Sequence, residues 1–462
     1  MQGALGPGFV GPAYRGSERM RAFAFICLAA AAPHKTGAPD AREAVRSTAR
    51  PRRLSDDFEQ LAKLIAADAA AGANFGRSVA VDGDTIVIGA PYAGTGGAVY
   101  VFRASDGKQL AMLTADDGAA DDGFGYSVAI DGDTVVIGAR FDDDGGLTSG
   151  SVYVFRKSWF GDTYSQMAKL TASDAAAGDG FGASVAIDGD TVVIGAENEG
   201  SGGAAYIFRT NDGWETYSLV VKLRGDVWDS YFGHSVAIDG DNIVVGAYGD
   251  YHAGTYSGSA YVFRPSDDQY GGATYDQVAK LTASDAAYMD LFGESVAIDG
   301  TTVVVGAYGA GTGGAAYVFH TEDDGATYGQ VAKLTATDAA AGDKFGTSVA
   351  VDGGTVAIGA WYGNSAGSGS GSAYVFRTSD GGATYGQVAK LTAADAVADD
   401  GFGYSVAIDG DTVVVGALYD GTDSGAAYIF SSDSSWWDFF SSDAATRPLP
   451  PAMVLLVAML AL

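Results

Sequence analysis

Along most of its length the chain alternates short apolar runs with polar, glycine-rich breaks, and nowhere does it sustain an apolar stripe at helical period. From Phe181 the order is FGASVAIDGDTVVIGA, then a Gly/Ser-rich loop, then AAYIFR, a polar turn, and LVVKL. The runs SVAI and TVVI flank Asp188-Gly189, which predicts a tight hairpin of type I′, since glycine tolerates the positive φ such a turn requires. The aromatic run AAYIF and the Lys-Leu run add two more strands, because β-branched and aromatic side chains suit a pleated, half-buried surface. One unit of about 50 residues is thus read as four strands.

The unit recurs. Phe-Gly pairs begin at Phe75, Phe124, Phe181, Phe232, Phe292, Phe345 and Phe402, with spacings of 49, 57, 51, 60, 53 and 57 residues. A Gly-Ala pair follows each phenylalanine by 14 residues, from Gly89 to Gly416. Seven four-stranded units predict an all-β fold, a seven-bladed propeller over residues 57–430. The first Lys-Leu run, Leu61 to Ile65, precedes the first Phe-Gly, and the last copy stops at Phe430 without one. The N-terminal strand is therefore expected to complete the seventh blade, leaving no open edge between first and last blades. The Phe-Gly and third-strand phenylalanines are expected as wedges between blades, and Ser78 and Ala80 with their repeats as small residues near the axis.

Composition narrows the picture. The net charge of −30 argues against nucleic acid, whose phosphates need basic partners. A single cysteine, Cys27, rules out a disulfide scaffold. Glycine is abundant, at 68 residues, but without the three-residue period of collagen.

With Gly89-Ala90-Pro91 after Phe75-Gly76, the repeat resembles the FG-GAP repeat of integrin α-chain propellers. The other copies replace the proline with Arg140, Glu197, Tyr248, Tyr308, Trp361 and Leu418. The resemblance implies an extracellular adhesion or ligand-binding head. It also implies calcium loops between the first two strands of several blades. Here that connection is only Asp-Gly, as at Asp82-Gly83, too short to supply the six to eight oxygens Ca²⁺ takes. A second stretch, Thr378 to Tyr385, resembles the Asp-box turn of sialidase-like propellers, as does Thr321 to Tyr328, and Thr210 to Tyr217 except at Trp214. That box is read as a hairpin stabilised by its own Asp and Thr side chains.

The other chemical signals read as architecture. Each loop before a Phe-Gly carries an aspartate: Asp68, Asp117, Asp174, Asp226, Asp285, Asp338 and Asp395. A second acid often follows, as at Asp122, Asp179, Asp290, Asp343 and Asp400. Asx-type turns account for them, with loosely held Ca²⁺ as the alternative and no other cofactor expected. Glu197 and Glu199 are read as members of one solvated loop. His234, His252 and His320 fall at unrelated repeat positions and suggest no metal triad. Arg224-Gly225-Asp226 spells the tripeptide integrins bind, but lies in repeat register and is read as coincidence. No nucleophile constellation stands out, and a non-enzymatic function is expected.

Residues 1–54 do not repeat. There Met20-Arg21 and the apolar run Ala22 to Ala32 describe a secretory signal. A polar linker, 431–451, leads to a hydrophobic tail, 452–462, which with Ser441, Ser442 and Asp443 resembles a lipid-attachment signal. The expected protein is a secreted or surface-anchored monomeric propeller that recognises a protein or glycan. A carbohydrate-active, sialidase-like propeller and a structural coat component stay open. Loops after Gly-Ala vary while the Asp-Gly turns are constant, which places the expected ligand site on the former, at Tyr92, Phe141, Tyr248, Tyr251, Tyr308, Trp361, Tyr362 and Tyr419.

Overall fold

The computed structural model describes residues 58–432, apart from 160, 212–215, 268–272 and 324. The expected signal segment and hydrophobic tail lie outside the described residues; of the expected linker, 431–451, Ser431 instead ends the last strand, Ser432 is described, and the rest lies outside. Among the described residues no helix is long and apolar enough to cross a membrane.

Seven four-stranded antiparallel sheets form the blades of a propeller. Blades one to six span 78–113, 124–170, 184–223, 235–281, 295–334 and 348–391. Blade seven joins three strands from 402–431 to Glu59–Leu64, which pairs antiparallel with Ala426–Ser431, Lys63 opposite Tyr428. The first strand of each blade lines the axis and the Lys-Leu strand is outermost.

The hairpin turn differs by one residue from the sequence expectation. Asp188 still belongs to the first strand and pairs with Thr191, so the two-residue loop is Gly189-Asp190. Gly189 has φ of 52° while Asp190 is not in the positive-φ region. That sign pattern fits type II′, with glycine first, rather than type I′. The shift frees the strand-end aspartate to reach sideways, and all seven do so. Asp82 accepts from the Gly132 amide of the next blade at 2.6 Å, and Asp409 closes the ring by accepting from Gly83 at 2.5 Å. The intervening bonds, from Asp131, Asp188, Asp239, Asp299 and Asp352, measure 2.5–2.7 Å.

A second ring lies near the other face. The serine two residues beyond each Phe-Gly donates to the Phe-Gly glycine carbonyl of the next blade, from Ser78 to Gly125 at 3.0 Å round to Ser405 and Gly76 at 2.8 Å. Blades approach closely there. A Cβ on Gly195 would lie 1.9 Å from the Gly233 carbonyl oxygen, so the Gly of Gly-Ala is a contact requirement between blades. The Phe-Gly phenylalanines are fully buried wedges. Phe75 meets Tyr100 and Phe102 of blade one at 5.4 and 5.8 Å and shares a cluster with Val414, Ala427 and Ile429 of blade seven. Removing such a ring costs about 3–5 kcal/mol.

Candidate binding site at the axial mouth

Between each Phe-Gly and its serine stands one residue that differs from blade to blade: Arg77, Tyr126, Ala183, His234, Glu294, Thr347 and Tyr404. The serine and glycine on either side hold the blade-to-blade contacts just described, so this side chain is left to face the axis. All seven, with Arg140, line a cavity of about 220 Å³ at the mouth of the central channel. The residues after Gly-Ala form a second tier around it.

One arc of the mouth is ionic. Glu197 is 5% exposed and bridges Arg140 and His234 through its two oxygens. The far nitrogen of His234 lies 3.5 Å from Glu294. Burial pushes the Glu197 carboxyl up, but His234, Arg140 and Arg77 outweigh it and hold the group below the usual carboxylate range. Burial lowers the His234 imidazolium, yet Glu294 and Glu197 lift it to about 10, so it stays charged at neutral pH. Arg140 also donates to the Tyr126 hydroxyl. Arg77 stands differently. Its guanidinium lies 3.8 Å from the Tyr126 ring centre and donates to the Tyr404 hydroxyl at 2.8 Å. Its buried Nε has no partner.

The other arc is aromatic. Trp361 packs against Tyr404 at 5.8 Å and Tyr419 at 6.3 Å, and Lys344 lies over it at 4.4 Å and over Tyr308 at 5.6 Å. Tyr231 stacks on Tyr248 at 4.8 Å, and Tyr248 meets His234 edge-on at 4.7 Å. The backbone supports this arc under strain. The residue before Phe-Gly has positive φ in every blade, and glycine holds the place at Gly123, Gly180 and Gly401. Blades four to six instead put Tyr231, Leu291 and Lys344 there, at 53°, 58° and 59°. Bulky side chains in this region cost about 1–3 kcal/mol each.

The structure divides the eight rings expected at the ligand site. Phe141, Tyr248, Tyr308 and Trp361 are half-buried around the axis, folded onto Tyr126, His234, Lys344 and Tyr404 respectively. Tyr92, Tyr251, Tyr362 and Tyr419 are more open, 38–49% exposed. The solvated-loop expectation for Glu197 and Glu199 is corrected: both are buried, because opposing cations reach into the loop. Glu199 pairs with Lys222 at 2.7 Å and accepts from Arg224 at 2.9 Å, which commits the arginine of the Arg-Gly-Asp tripeptide within the chain. Sequence reasoning missed the axial ring of varied residues. Its signal was present as the one varying letter inside an otherwise regular Phe-Gly-x-Ser run.

The acidic loops resolve into two roles. Asp117 accepts from Tyr153 at 3.0 Å and from Lys169 at 2.7 Å, linking loop, third strand and outer strand. Asp174, Asp285, Asp338 and Asp395 take the equivalent tyrosine and lysine. Lys222 and Lys333 hold Asp174 and Asp285 below the usual carboxylate range. These first aspartates therefore depart from the Asx-turn expectation, since a charged partner lies within reach. The second acids do close their own turns, as Asp122 does by accepting from the Ala119 amide at 2.6 Å. Among the described residues no three His, Cys, Asp or Glu side chains are grouped to hold a metal ion. The Asp-box turns hold themselves together, with Asp380 accepting from the Thr384 amide at 2.9 Å and its hydroxyl at 2.6 Å. Part of the Thr210 to Tyr217 stretch lies outside the described residues.

The FG-GAP repeat family model matches residues 58–102, 108–155, 164–208, 228–263, 275–319, 328–376 and 385–430. The chain belongs to the FG-GAP repeat family. Each matched segment of this FG-GAP protein contains the core of one blade, and the signature residues are those that bring blades together. Among curated proteins none matches. Among solved structures, the crystal structure of the Saccharomyces cerevisiae Sqt1 is similar over 78% of this chain and 83% of that one, at 12% identity and a TM-score of 0.41.

Proposed function

We propose that this FG-GAP propeller is a non-enzymatic recognition module that binds a protein or glycan ligand through the face bearing the axial mouth. The observation that carries the reading is the ring of seven axial side chains, from Arg77 to Tyr404, that vary at one repeat position while the residues on either side stay constant. There a rigid scaffold presents varied rings and charges around a concave site, the usual arrangement of binding loops on a fixed frame. Strained backbone beneath the aromatic arc supports the same reading, since strain is retained where function needs it. Glu197, ionised and held by two cations, suits positioning more than proton transfer. Export to the cell exterior, with a lipid or tail anchor, follows from the Ala22 to Ala32 run and the hydrophobic tail, and completes the proposal.

The test is a Trp361→Ala, Tyr308→Ala double variant probed on a glycan array and against purified cell-surface proteins. Loss of the parent's binding with an unchanged melting curve supports the mouth as the site. Retained binding, with loss on altering the Asp-Gly face instead, moves the site to the opposite side.

A further inference from the structure

Of the cations that line the axial cavity, Arg77 differs from Arg140 and His234. Arg140 and His234 are committed to Glu197, and His234 also faces Glu294. Arg77 touches only neutral groups, the Tyr126 ring and the Tyr404 hydroxyl; it acts on Glu197 from a distance, with no carboxylate within ion-pairing distance among the described residues. Its Nε–H is buried without an acceptor. An arginine presents its donors in a planar fork that matches a carboxylate. Arg77 lines the cavity with donor capacity unused and no carboxylate paired to it, which suits its guanidinium to an anionic group there.

We infer that the axial cavity binds a sugar acid, a pyranose ring carrying one carboxylate, with Arg77 taking the carboxylate. The inference rests on the proposed binding face and deepens it. The space of about 220 Å³ is far more than a carboxylate head alone requires. The remaining wall offers what a polyhydroxylated ring uses. Glu294 accepts from hydroxyls, Thr347 adds a hydroxyl of its own, and the Tyr404 and Trp361 rings form an aromatic flank beside the cavity. A single acidic sugar also suits a chain of net charge −30 better than a strongly anionic partner does.

The probe is glucuronate, titrated by ligand-observed NMR or calorimetry against the full chain, with glucose and acetate as controls. The variant is Arg77→Ala. Blade three carries Ala183 at the same repeat position, so the substitution is compatible with the fold, and a melting curve checks it. Glucuronate is expected to bind at least 10-fold tighter than glucose or acetate, and Arg77→Ala to weaken it at least 10-fold. Equal binding of glucose removes the role of Arg77, and equal binding of acetate removes the sugar. No glucuronate binding, or binding indifferent to Arg77→Ala, overturns the inference. If array binding still depends on Trp361 in that case, only the cavity assignment falls; if it does not, the binding-face reading falls as well.

Discussion

On the Asp-Gly face every blade makes the same bond to the next, from Asp82 to Gly132 round to Asp409 and Gly83. On the Phe-Gly face no two neighbouring blades present the same group to the axis. Both faces are written by the same repeat, read in the same register, so the contrast is an internal control. Where seven copies must meet the same neighbour at the same distance, the residue is constant, as with the Ser-to-glycine ring or the Gly-Ala glycine. Where the backbone contact is already satisfied and the side chain faces the axis, the position is free to vary. Variation at the axial position, between a constant glycine and a constant serine, therefore supports the mouth as the surface that meets something outside the chain.

The contrast breaks most completely if the ring itself opens. Deleting residues 58–67 removes the strand that pairs with Ala426–Ser431 and exposes a blade edge. Both faces should then fail together, with aggregation on size-exclusion chromatography and loss of the cooperative melt. A truncated protein that melts like its parent would show that the seventh blade does not depend on this strand.

A smaller effect isolates the mouth. Glu197→Gln leaves Arg140 and His234 without their shared carboxylate, and disrupting a buried pair in this way typically costs about 3–5 kcal/mol. The pH signature has a definite sign. His234 is raised from 6.5 to about 10 in the folded state, so its contribution is complete below pH 6.5 and disappears as pH rises through 10. Urea titrations between pH 6 and 10.5 should show an alkaline loss in the parent that shrinks in Glu197→Gln. An identical pH slope in both proteins would remove the ionic arc from the account.

The finest test sets one position from each face side by side. Asp188→Ala removes a blade-to-blade hydrogen bond and should cost about 1 kcal/mol, whereas Thr347→Ala, at a varied position, should stay within about 0.5 kcal/mol. Equal costs would mean that variation in the repeat does not separate scaffold from site.

The fold was legible because its signals repeat: seven Phe-Gly pairs, each followed by Gly-Ala at 14 residues, leave little choice but a ring of equal units. Local detail was harder. The Asp-Gly pair suggested a turn centred one residue early, because the demand on Asp188 comes from the Gly240 amide of the next blade and not from its own hairpin. Glu197 and Glu199 sit in a glycine-rich loop and looked solvated; the cations that bury them, Arg140, His234, Lys222 and Arg224, come from elsewhere in the chain. The axial ring escaped for a related reason. Arg77 and Tyr404 are 327 residues apart, and only ring closure makes them neighbours.

Closure also sets a schedule for synthesis. Lys63 on the N-terminal strand finds its partner Asp420 across 357 residues. At a translation rate of about 5–20 residues per second, that strand waits roughly 20–70 s for the chain it must pair with. During this interval Glu59–Leu64 is an unpaired edge while six blades assemble beside it. Its polar ends, Glu59, Gln60 and Lys63, then guard a nascent chain against pairing with its neighbours on the ribosome, before any of them contributes to the finished ring.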